Sequence, residues 1–133
     1  MPVAVSVVAS RFASAYASHD AADGGDDSYA AAGLRAAAYA TGDLALSLPQ
    51  QRPGQESVWE QLRSEQDRQT VKITSVGVPD GAPAPTASVA VVRVTYVLTT
   101  TPKSGKARQS NEEIALHLVL TADGWRVDAL PWA

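Results

Sequence analysis

The chain of 133 residues has no cysteine, a single phenylalanine and a single methionine. Without thiols it has no disulfide, no thiolate zinc site and no cysteine nucleophile. Much of the 45% apolar fraction is alanine. With Phe12 alone of its kind, the core must therefore be built from Val, Leu, Trp and Tyr. Dense cationic stretches are missing too. Eleven Lys and Arg stand against fourteen Asp and Glu, a net charge of -3, so the footprint of a nucleic-acid binder is not there. The apolar run from Pro2 to Ala9 is far shorter than the roughly 20 residues a membrane helix requires. It also lacks the cationic start of a signal peptide. No glycine pattern matches a phosphate-binding loop, and no serine lies in a Gly-x-Ser-x-Gly elbow. What is left is the expectation of one α+β domain without a catalytic or metal-binding motif. Met1-Pro2 has two readings, a native start or the first residues of a domain cut from a longer, anchored protein.

What is present changes character near Thr70. In the first half, Val5, Val8, Phe12, Ala15, Tyr16 and His19 recur at helical spacing, which predicts an amphipathic helix. Asp20 to Asp27, with Gly24-Gly25, interrupts it. A second helix is expected from about Ser28, capped by Asp26, Asp27 or Ser28, and running through Tyr29, Leu34, Ala38 and Tyr39. Thr41-Gly42-Asp43 ends that helix or bends it into a short turn carrying Leu44, Leu46 and Leu48. Ser57-Val58-Trp59-Glu60 reads as a capping box opening a third helix that reaches about Arg68. In the second half, Val71–Val78, Val89–Thr100, Glu112–Thr121 and Trp125–Ala129 show the period of 2 and the β-branched content of strands. Asp123-Gly124 supplies a tight hairpin turn. The expected architecture is three N-terminal helices packed on a curved four-stranded antiparallel sheet, because the apolar face of such a meander needs a cover.

That order of elements resembles the nuclear transport factor 2-like superfamily, a curved sheet wrapped around helices into a cone. Within it the chain is similar to actinobacterial domains like the TcpC-type conjugation proteins and the VirB-type scaffold of type IV secretion. The likeness is carried by Arg11-Phe12-Ala13-Ser14-Ala15-Tyr16, by Tyr29 with Leu34-Arg35 and Ala38 to Leu44, and by the closing hairpin Asp123-Gly124-Trp125-Arg126-Val127-Asp128-Ala129-Leu130. The resemblance implies a non-enzymatic assembly domain, with protein partners, a homo-oligomer and no cofactor. It also implies an extracytoplasmic place, reached through a membrane helix ahead of this chain. Without such an anchor the expectation is a cytoplasmic protein. The alternative is a small-molecule binder or isomerase-like enzyme that uses the cone cavity.

Enzymes of this fold class set an Asp/His or Asp/Tyr pair inside the cone, where burial tunes the base. Tyr16, Tyr29 and Tyr96 are the candidate cavity-lining residues, and His117 and Asp128 the remaining titratable groups of interest. Alternation directs His117 and Asp128 away from the apolar set of each strand, so they are not expected to form a catalytic pair. No catalytic residue is assigned. His19-Asp20 with Asp23, Asp26 and Asp27 lack the spacing of a calcium loop, and no metal is expected. Trp59 and Trp125 read as core. The outer face of the sheet is the candidate interface, through Val91, Arg93, His117 and Val119, with Trp132 at its edge.

Overall fold

The computed structural model describes residues 1–131; Trp132 lies outside them. Helix α1 spans Val3–Ala17, α2 Ala30–Ala37, α3 Gly42–Ser47 and α4 Gln55–Glu65. Strands β1 (Arg68–Gly77), β2 (Val89–Thr101), β3 (Arg108–Thr121) and β4 (Gly124–Ala129) follow. They form one antiparallel sheet in the order β1-β2-β3-β4. There are thus four helices among the described residues, where the periodicity predicts three. The added element is α3, in the segment expected to be a turn. It has six residues and buries none of them, so it leaves no apolar stripe to read.

Helix α1 is the principal cover of the sheet and touches all four strands. Val5, Ala9, Phe12 and Ala13 are its buried residues, spaced three and four apart as one helical face requires. They meet Val92 and Val94 of β2, Leu116 and Leu118 of β3, and Trp125 and Val127 of β4. Phe12 is fully buried, a contribution of roughly 2–3 kcal/mol. Helix α2 packs on α1, and its buried residues are the small Ala32, Gly33 and Ala36. Leu34 points outward and is 62% exposed. The turn after α2 is stitched to β4: Val127 donates its N–H to Tyr39 O (2.9 Å), and Thr41 donates to Val127 O (2.9 Å).

Several local expectations are corrected. Helix α4 begins at Gln55, and no side chain caps it. Ser57 Oγ donates to Gly54 O (3.0 Å) in place of the expected capping box, because the chain turns into the helix at Gly54 with φ +87°. The helix stops at Glu65 and leaves Arg68 to β1, since Gln66 adopts the left-handed conformation. Leu62 is the one residue of α4 that is buried. Trp59, read as core, is only half-buried, because α4 lies beside the main core and adds nothing to it. Helix α2 likewise lacks a side-chain cap; Asp26 is held by Arg35 instead. The last hairpin turns on Ala122-Asp123, with Thr121 paired to Gly124. Gly124 has φ +106°, open to glycine and costly for other residues.

Candidate functional site

Two places in the fold collect the chemistry-bearing side chains. The first is a cavity of about 190 Å³ between the helices. Tyr16 and His19 reach it from the end of α1, Tyr29 and Gly33 from α2, Leu48 from the end of α3, and Gln55 and Val58 from α4. Arg52 and Leu130 complete its rim. Of the described sheet-side residues Leu130 alone contributes, because the space between helix α1 and the sheet is filled by the core. Tyr16 and Tyr29 thus both line the cavity. Tyr96 is not among its lining residues; it packs against the core from β2.

The three tyrosines are nonetheless neighbours. Burial raises the pKa of Tyr29, and the adjacent Tyr16 adds to it. Burial also raises Tyr96, followed by the charge of Glu112 and by Tyr16 and Tyr29. Both phenols therefore keep their protons at neutral pH. Phe12 and Tyr16 stack at 5.6 Å, and His19 stacks on Tyr29 at 4.1 Å.

His19, which the sequence places only on the α1 stripe and beside the aspartates, joins the cavity lining. It is 6% exposed. Gln69 Oε1 of β1 accepts its backbone N–H (3.2 Å) and lies 3.0 Å from its Nδ1. Burial depresses the His19 pKa below 6.5 despite the Gln69 bond and the nearby Asp26 charge, so the imidazole is neutral at pH 7. A histidine that continues the apolar stripe of α1 one turn past Tyr16 is the signal in the sequence. Gln69 gives no such signal, since fifty residues separate it from His19.

The second place is the outer sheet face. His117 and Asp128 do meet, with Nδ1 and Oδ1 at 2.6 Å. Alternation does turn both away from the core, and each side chain stays about one-third exposed (31% and 32%). What alternation misses is a bulge. His117 pairs with Ala129 while Leu118 pairs with Val127, so Asp128 is an extra residue re-aimed at the imidazole. The pair thus meets where solvent reaches both side chains. Around it lie Val91, opposite His117, and Val119, opposite Arg126. Arg93 is exposed and 4.0 Å from Glu113.

The acidic loop is structural. Arg35 donates to both Asp26 oxygens (2.7 and 3.2 Å) and to Ser18 O. Asp20 N–H also donates to Asp26. Burial alone would raise the Asp26 carboxyl, yet these bonds outweigh it and hold the group below 3.8. Asp23 pairs with Arg63, and Asp20 with Arg68. Asp26, Asp23 and Asp20 thus tie the loop to α2, α4 and β1. Among the described residues no three His, Asp or Glu side chains are placed to hold a metal ion. No helix among them is long and apolar enough to cross a membrane.

No protein-family model matches this chain, and no curated protein or solved structure matches it.

Proposed function

We propose that the chain is a nuclear transport factor 2-like assembly domain, its helices set into the concave side of a curved sheet. It acts without catalysis, by self-association through the outer face, as part of a conjugation or type IV secretion-like scaffold. An upstream anchor would place it outside the cytoplasm. The observation that carries this reading is the composition of the outer face. Val91, Val97 and Val119 stand there half-buried beside exposed Arg93 and Glu113, while the helices bury the opposite face. A face left to solvent has little use for three valines. A mix of apolar and charged side chains is what an interface between separately folded partners carries.

The occupant is a second copy. Lys72 of β1, Arg93 of β2 and Arg126 of β4 share the sheet with Glu113 of β3 and Asp128 of β4, so a two-fold partner can set each sign against the other.

Sedimentation of the domain at high concentration tests the reading. Dimers are expected. Val91→Glu with Val119→Glu should give a folded monomer, weakening association at least about thirtyfold, the worth of a 2 kcal/mol hot spot. A clean monomer from the unaltered chain would overturn the self-association.

A further inference from the structure

We propose that the cavity beside His19 binds a small, neutral, planar molecule with one O–H or N–H donor, a phenol or a close analogue. This goes beyond assembly and does not depend on it.

The contacts of His19 fix its tautomer. Gln69 Oε1 already accepts the backbone N–H of His19. That contact identifies it as the oxygen, and an amide oxygen cannot donate. The short contact with Nδ1 therefore requires the proton to sit on Nδ1. In a neutral ring Nε2 then carries a bare lone pair. No hydrogen bond to it exists among the described residues. Nor is it sealed: among them, Asp67 Oδ1 alone is both buried and unpartnered. Nε2 accordingly meets accessible space, and the space this imidazole lines is the cavity.

Size and charge select the ligand. A cavity of roughly 150 Å³ is enough for benzene, and this one has about 190 Å³. Tyr16 and the stacked His19–Tyr29 pair supply aromatic walls. An anion would oppose the Nε2 lone pair, and a cation would oppose Arg52 at the rim. A neutral donor on a flat ring satisfies both.

The test is a titration of the full chain with phenol and with anisole, followed by amide NMR shifts of Tyr29–Gly33 and Gln55–Val58. Anisole keeps the ring and loses the donor. Phenol should bind about fivefold tighter, the net worth of one hydrogen bond. His19→Phe keeps the ring stack and removes the lone pair, so it should equalise the two ligands. Should that variant fail to fold, the comparison on the unaltered chain still decides. Val58→Trp, at a position 48% exposed, should block both ligands without unfolding the chain. Equal affinities for the unaltered chain, no saturable shift, or shifts that survive Val58→Trp would each overturn the proposal.

Discussion

Gly33→Ala should destabilise the domain by about 2–4 kcal/mol, in the range of forced overpacking and the severe end of single substitutions. On propensity alone the change should help, because alanine is favoured over glycine inside a helix by about 1 kcal/mol. Space decides otherwise. A Cβ at Gly33 would stand 1.9 Å from Leu48 O and 2.8 Å from Leu48 C. Both are backbone atoms, so no side-chain rotation can relieve the clash. Leu48 is buried, and its N–H is held by Leu44 O (3.0 Å). Relief must move α2 or the end of α3. Urea unfolding should show a lower midpoint at unchanged slope. Leu34→Ala, on the exposed side of the same helix, should stay within about 0.5 kcal/mol of the parent. A neutral Gly33→Ala would mean that the α2–α3 contact yields freely. Gly33 and Leu48 also line the His19 cavity, so the same substitution should weaken phenol binding.

Glycine at position 33 shows where the sequence stops being legible. Within an alanine-rich helix it reads as a small residue and nothing more; the carbonyl it makes room for is fifteen positions away. Strands β2, β3 and β4 were readable because each buries one face, and a period of 2 survives in Val92, Val94, Leu116, Leu118 and Val127. Strand ends were not, since Arg68 and Arg108–Asn111 join the sheet by pairing with β2 and carry no apolar alternation. Helix α1 was legible for the same reason as the strands. Helix α3 was not, because it hides nothing. The site followed this pattern. Tyr16 and Tyr29 could be suspected from aromatic content in the helical half. The contact of His19 with Gln69 joins α1 to β1, and the meeting of His117 with Asp128 comes from a one-residue bulge. Neither long-range pairing nor a bulge leaves a mark in hydrophobic periodicity.

Asp67→Asn should stabilise the domain at neutral pH and remove an acid-side rise in its stability. Asp67 joins α4 to β1, and its backbone is fixed at both ends. Its N–H donates to Leu62 O (3.0 Å), and its carbonyl accepts from Ala21 N–H (2.8 Å). The carboxylate has no accessible surface, yet its cover is thin. Arg108 and Glu65 close over it, and their side chains remain 56% and 36% exposed. Arg108 Nη2 is 3.4 Å from Asp67 Oδ2 and 3.5 Å from Glu65 Oε2. One cation thus serves two carboxylates, and Asp67 Oδ1 has no partner. Burial raises the Asp67 pKa above 3.8, and the negative charge of Glu65 raises it further; Arg108 opposes both without prevailing. The folded chain therefore holds this proton more tightly than the unfolded chain does. Stability must fall as pH rises from 3.8 through the raised value, and the full cost stands at pH 7. Asparagine removes the charge and offers an N–H to Glu65. The gain should be about 1 kcal/mol, the low end of the cost of an orphaned buried polar atom, because solvent reaches Glu65 and Arg108 and screens the group. Urea titrations at pH 7 and pH 3.5 check both parts. The variant should be more stable than the parent at pH 7 and equal to it at pH 3.5. A loss of stability at pH 7, or the same difference at both pH values, would show that the Asp67 charge is satisfied in the folded chain.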